Sequence, residues 1–369
     1  MKVPLCLPDI TKKEVDIVSK VLLGGWLAHG EYNKKFEQLF ADTLGVENAI
    51  TMNSCTSALE IALKSSGITQ EVIIPSMTFV ATANAVINSS CTPVFCDVDL
   101  ATRNVTAADI LRSISPKTEA VIVVHYAGQP CNMDDISKLC ERKSLLLIED
   151  SAETLGATWK GRQAGSYGIG CFSFFPTKNI TTTEGGMLTT NDKKVYNYVK
   201  KLIAHGIDKD IKSNFWHREA VLPGHNFRMP NHLAAMGYLQ LKKIKKFNKA
   251  RNKIASSYNS KLSKITNKIK IPYIPKGFTH SFQMYTITVE AKLRNKLLNF
   301  LKKNNIEASA HFDPPLHLQK YLKKYNKKRL TETEKLSKQI ITLPIFPDMT
   351  KKEVTYVTET INRFYKDNN

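Results

Sequence analysis

The sequence has no run approaching the roughly 18 apolar residues that a membrane-spanning helix needs, so no membrane segment is expected. Its seven cysteines (Cys6, Cys55, Cys91, Cys96, Cys131, Cys140 and Cys171) form no C-x-x-C pair, and its nine histidines include no H-E-x-x-H. Those absences remove the usual signatures of zinc and redox centres, and we expect no structural metal. The cysteines read as small buried hydrophobes in a reducing compartment. The opening stretch MKVPLCLPDITKKEVD is interrupted by Pro4, Pro8 and Asp9 before a signal-peptide core can form, which makes the cytoplasm the expected address. Internal repeats and low-complexity segments are also missing. Acidic residues are scarce: 33 Asp and Glu stand against 53 Lys and Arg, for a net charge of +20. Much of the excess lies in runs such as Lys242-Lys243-Ile244-Lys245-Lys246 and Lys323-Lys324-Tyr325-Asn326-Lys327-Lys328-Arg329. With no nucleic-acid motif and no aromatic-interleaved basic strand, these runs read as solvated helix faces that lend some attraction for an anionic small molecule. Nucleic acid is not an expected partner.

The chain's 369 residues exceed the roughly 250–300 at which single cores stop growing, so two unequal domains are expected, residues 1–245 and 246–369. Between about 48 and 190, short apolar runs alternate with helical patterns: residues 71–74, 93–96, 120–124, 145–148 and 171–175. Runs that are apolar on both faces imply an α/β domain with a mainly parallel sheet between helices. A smaller α+β unit with strands at 270–273 and 283–289 is expected to follow.

Sites on such sheets gather at the carboxyl ends of strands. The run ending at Ile148 passes into Glu149-Asp150-Ser151-Ala152, and the run from Cys171 to Phe175 leads through Pro176-Thr177 to Lys178. A carboxylate and an amine at two strand ends suit pyridoxal phosphate, whose aldehyde needs a lysine and whose ring nitrogen needs an acid to stay protonated. Taken singly, Asp150 reads more readily as a helix cap and Lys178 as a surface lysine. A third element, Thr51-Met52-Asn53-Ser54-Cys55-Thr56-Ser57, puts small and hydroxylated residues before a helical run, where backbone N–H groups can hold a phosphate.

With these three elements in order, the sequence resembles the DegT/StrS-type sugar-nucleotide aminotransferases over nearly its whole length. The segment Cys171-Phe172-Ser173-Phe174-Phe175-Pro176-Thr177-Lys178-Asn179-Ile180-Thr181-Thr182-Thr183-Glu184-Gly185-Gly186 is similar to that family's cofactor-lysine signature. The resemblance implies a type I aspartate-aminotransferase-like fold, pyridoxal 5'-phosphate held on Lys178 as a Schiff base, and pyridoxamine phosphate as the aminated form. It also implies that Asp150 meets the pyridine nitrogen, Phe79 stacks on the ring, and Ser54, Cys55, Thr56 and Ser173 bind the phosphate. Glu153 falls in the cofactor-binding segment, at a position where an acid occurs in perosamine-synthase-like members. Gly224-His225-Asn226-Phe227-Arg228 resembles the segment that reaches into a neighbouring subunit, implying a homodimer with shared sites and Asn226 donated across it. Cys55 and Thr183 depart from the family pattern, each standing where relatives often have glycine, and no aromatic stands at Ser281.

The implied partners are L-glutamate and a nucleotide-linked keto sugar, with a lean towards a 4-keto-6-deoxyhexose. Trp26, His29, Arg228 and His317 are the candidate substrate contacts, alongside the stretch from His311 to His317. Two readings compete: a pyridoxamine-dependent sugar dehydratase of the same family, and a non-catalytic nucleotide-sugar-binding protein. Lys178 argues against the first, since those relatives carry His there. The presence of lysine, aspartate and phosphate loop together argues against the second.

Overall fold

The computed structural model describes residues 1–208 and 216–367. Its main sheet has seven strands: β1 (Asn48–Met52), β2 (Glu71–Pro75), β3 (Thr92–Cys96), β4 (Thr118–Val124), β5 (Leu146–Asp150), β6 (Ile169–Ser173) and β7 (Gly186–Thr190). Their spatial order is β1-β7-β6-β5-β4-β2-β3, and only β7 runs antiparallel to its neighbours.

Both faces of this sheet are covered, which is why its strands are apolar throughout. Ile74, Ile122 and Ile148 turn to one side, against Ala58, Leu59 and Leu63 of the helix Cys55–Ser65. Their neighbours Ile73, Val121, Val123 and Leu147 turn to the other, against Ile136 and Leu139 of the helix Met133–Lys143. Alternation with a period of two thus feeds two cores from one run of β-branched residues.

All five expected strands are present, within two residues at each end. The flanking β1 and β7 were not expected. They carry Thr and Gly among their apolar residues, and their pairing depends on contacts remote in sequence. The expected strand at 283–289 is observed as β8 (Tyr285–Thr288), paired with β9 (Ile340–Leu343). The expected strand at 270–273 is not formed. Only Lys270 makes a bridge, to Thr288, and Pro272 and Pro275 punctuate the segment and remove backbone donors.

The expected cut at 245 falls within the helix Ile244–Leu262. Helix Ile244–Leu262 places Ile244 and Phe247 in a core with Phe172 and Phe174, and Ile254, Ala255, Tyr258 and Leu262 in the core around β8 and β9. Val3, at the start of the chain, packs in that second core. Leu316, Leu322 and Leu330 return to the first, beneath the main sheet.

Candidate active site

Helix geometry leaves the first amides of a helix without partners, and the helix Cys55–Ser65 follows β1 directly. Ser54 caps it, its Oγ accepting from Ser57 N at 3.0 Å, and no acidic residue occupies the first turn. The N–H groups of Cys55 and Thr56 therefore form the positive end of a dipole at the sheet's carboxyl edge. Gly186 lies against this turn. A Cβ there would sit 2.4 Å from Ser54 C and 2.6 Å from Cys55 N, so any larger residue would push the helix start away. Thr183 has φ of 68°, the left-handed region, which accounts for a position that suits glycine.

Asp150 ends β5, and a cavity of about 700 Å³ opens beside it. Its carboxylate accepts from Thr82 Oγ1 at 2.8 Å and Ala152 N at 3.2 Å, with Cys55 Sγ 4.0 Å away. Burial pushes its pKa up, although these hydrogen bonds oppose the rise. Among the described residues no ion pair includes Asp150. A buried carboxylate accessible to a cavity and in no ion pair suits a ligand that brings a protonated ring nitrogen.

Lys178 follows β6 into the same cavity. Its Nζ lies 3.5 Å from Glu153 Oε1, while Glu153 Oε2 accepts from Ala127 N at 2.7 Å. Phe79 is 61% exposed, an unusual state for a phenylalanine, and its ring forms part of the cavity wall. Ser54, Cys55, Thr56, Asp150, Glu153, Ser173 and Lys178 line the cavity with it.

The remaining candidates lie elsewhere. Trp26 is exposed and donates to His29 O at 3.2 Å, and His29 faces Glu37 at 3.4 Å. Arg228 contacts Asn226 Oδ1 at 3.2 Å, beside His205. None of these four lines this chain's own cavity. His317 requires a correction: it is fully buried, with Nδ1 2.6 Å from Ser76 Oγ, Nε2 3.5 Å from Glu334, and its ring 6.5 Å from Phe95. The 3-10 turn Leu316–Leu318 tucks it under the sheet with Leu316, and burial lowers its pKa. It therefore holds the turn to β2 and is not available to a substrate phosphate.

Several residues came into view only in three dimensions. Gln283 and Gln319 reach the cavity from the C-terminal unit, and Leu5 and Cys6 from the first residues of the chain, while His311 and Asp313, from the stretch singled out in the sequence, also line it. His311 Nδ1 meets Thr342 Oγ1 at 2.9 Å, and burial lowers its pKa while Glu153 opposes the fall. Glu149, next to Asp150, is completely buried. It accepts from the amides of Gly165, Tyr167 and Gly168 at 2.6–2.9 Å and lies 3.0 Å from His125 Nε2. Its adjacency to Asp150 is the only sequence signal it gave.

Residues 8–362 match the model of the DegT/DnrJ/EryC1/StrS aminotransferase family. The chain belongs to this family. This aminotransferase is 36% identical over 370 residues to GDP-perosamine synthase of Escherichia coli O157:H7, covering 99% of both chains. Its fold superposes on the aminotransferase TlmJ from Streptoalloteichus hindustanus with a TM-score of 0.95, at 29% identity and full coverage of both chains. The PLP-form of the sugar aminotransferase Spr1654 from Streptococcus pneumoniae matches with a TM-score of 0.92 at 27% identity, covering 100% of this chain and 99% of the other. Among the described residues no cluster suited to a metal ion is found, and no helix is long and apolar enough to cross a membrane.

Proposed function

We propose that this aminotransferase uses pyridoxal 5'-phosphate on Lys178 to move an amino group from L-glutamate to a nucleotide-linked keto sugar, with a 4-keto-6-deoxyhexose as the acceptor class. The observation that carries the proposal is the unpaired, buried carboxylate of Asp150 sharing one cavity with the Lys178 amine and a free helix N-terminus. When bound, the cofactor supplies an electron sink for charge developing at the reacting carbon.

The chain's own residues supply the rest. Cys55 and Thr56 amides with Ser54 and Ser173 hold the phosphate, Phe79 covers one ring face, and Asp150 keeps a proton on the ring nitrogen. Lys178 Nζ takes the Cα proton from the amino acid and, in the second half, delivers a proton to the sugar carbon. Glu153, 3.5 Å from Nζ, accepts a hydrogen bond from the Lys178 amine and helps hold it in place. The likeness to GDP-perosamine synthase, together with the acid at Glu153, supports the 4-keto acceptor.

The exposed Trp26 and Asn226 and the half-buried Arg228, with exposed apolar Leu22, Leu23 and Leu27, support a homodimer in which these residues complete the partner's cavity. Such a cavity would recruit two phosphates of the substrate through Arg228.

An absorption spectrum tests the reading. Purified protein with pyridoxal phosphate should show a visible band that fades on adding L-glutamate, and a panel of nucleotide-linked 3-keto and 4-keto sugars should then restore it selectively. Lys178→Ala should show neither the band nor amine product; turnover in that variant would sink the assignment.

A further inference from the structure

The peptide around Lys178 is gripped at three consecutive carbonyls. Thr177 O accepts from Gln283 Nε2 at 2.9 Å and from Cys6 Sγ at 3.7 Å. Lys178 O and Asn179 O face Arg251 Nη2 and Nη1, each at 3.5 Å, and Asn179 Nδ2 donates to Asn248 at 3.1 Å. A loop at a strand end ordinarily leaves its carbonyls to water. Here every donor comes from outside the main sheet: Gln283 precedes β8, Cys6 follows the segment that docks on the second core, and Arg251 and Asn248 lie on the helix joining the units.

The groups doing the gripping leave polar atoms unmatched. Gln283 Oε1 and Arg251 Nε are buried without a partner, and no ion pair among the described residues includes Arg251. A buried amide with one unmatched end is costly, and an apolar side chain would avoid that cost, so the Thr177 contact gives a reason for glutamine here.

Gln283 is itself held firmly. Ser281 N donates to Gly128 O at 2.9 Å and Met284 N to Ala127 O at 3.2 Å. Between them Phe282 has φ of 47°, its N–H bonded to His280 Nδ1 at 2.9 Å and its ring stacked on His280 at 4.0 Å. The same turn reaches Glu153, since Ser281 Oγ donates to Glu153 O at 3.1 Å. One rigid turn of the C-terminal unit therefore touches the backbone before Lys178 and the residue whose carboxylate faces its amine.

We propose that Gln283 is a positioning residue that fixes the backbone at Thr177 and thereby sets where the Lys178 amine stands in the cavity. The inference rests on Lys178 being the cofactor-bearing amine. It makes the C-terminal unit part of the lysine's support, so displacement of that unit moves the amine.

Full-length Gln283→Leu and Gln283→His, each loaded with pyridoxal phosphate, test it. Because Gln283 also lines the cavity, the deciding readout is taken without substrate: the pH midpoint of the visible band. In Gln283→Leu that midpoint should move, and bleaching by L-glutamate should slow by about tenfold to a hundredfold, the scale expected of a misplaced reacting group. Gln283→His keeps an N–H donor and should recover most of both, with the thermal midpoint of the cofactor-free protein unchanged in either variant. An unmoved pH midpoint in Gln283→Leu, or equal impairment of the two variants, overturns the proposal while leaving Lys178 in its role. Should Gln283→Leu not fold, Gln283→Glu, similar in size but without the donor, carries the same comparison. A parent protein that forms no visible band overturns the reading of Lys178 and this inference together.

Discussion

Replacing Asp150 with Asn should change stability in opposite directions with and without cofactor. In the cofactor-free protein the carboxylate is buried and in no ion pair, and burial raises its pKa above the unfolded value of about 3.9, although hydrogen bonds and the Lys178 charge oppose the rise. The folded state then binds more protons than the unfolded one between these two values, so stability falls as pH rises through that window. Above it the buried charge remains a cost. Asn keeps an oxygen for Thr82 Oγ1 and removes the charge, so cofactor-free Asp150→Asn should be more stable at pH 7 by about 1–3 kcal/mol, the scale of an imperfectly satisfied buried polar group. Unfolding entropies scale with length, and 369 residues convert each kcal/mol into about 1.3 °C. The expected gain is about 1–4 °C, vanishing near pH 4.

With pyridoxal phosphate bound, the sign reverses, because the carboxylate now pairs with the ring cation. Breaking a buried pair costs about 3–5 kcal/mol, so the variant should lose the stabilisation that cofactor gives the parent. It should also bleach with L-glutamate about 10²- to 10⁴-fold more slowly. Thermal melts of both forms at pH 4 and pH 7, with stopped-flow bleaching, measure all of this. A variant destabilised equally with and without cofactor would refute the reasoning, since Asp150 would then be a structural carboxylate.

Other outcomes follow from neighbouring residues. Gly186→Ala should raise the dissociation constant for pyridoxal phosphate at least tenfold, measured by band titration, because its Cβ would displace the Ser54–Cys55 backbone. Burial pushes the Glu149 pKa up, but His125 and the amides of Gly168 and Gly165 outweigh it, leaving the pKa below its ordinary value. Its stabilisation is therefore present above about pH 4.3 and lost as pH falls further. Glu149→Gln should accordingly melt about 4–6 °C lower at pH 7, with the gap closing in acid; a pH-independent gap would show that charge is not what Glu149 contributes.

The sheet's centre was legible because its strands are buried on both faces and so advertise themselves as unbroken apolar runs. Its flank was not, since β1 and β7 pair across more than a hundred residues and carry threonine and glycine. Asp150, Lys178 and the Ser54–Thr56 turn could be read from strand ends and a motif, which are local in sequence. His317 misled because a histidine in a polar, lysine-rich stretch looks solvent-facing, whereas Leu316 pulls its turn into the core. The roles of Gln283 and Glu149 were not legible, as they depend on carbonyls and amides that only folding brings near.

The return of Leu316, Leu322 and Leu330 to the core beneath the main sheet bears on how the chain is made. A ribosome releases β1 to β7 long before these three leucines exist, so the growing sheet carries an uncovered apolar surface through about 130 further residues. Meanwhile Val3 waits from the outset for β8 and β9. Neither unit can close by itself as it emerges, and both cores reach completion only when the last third of the chain has been synthesised.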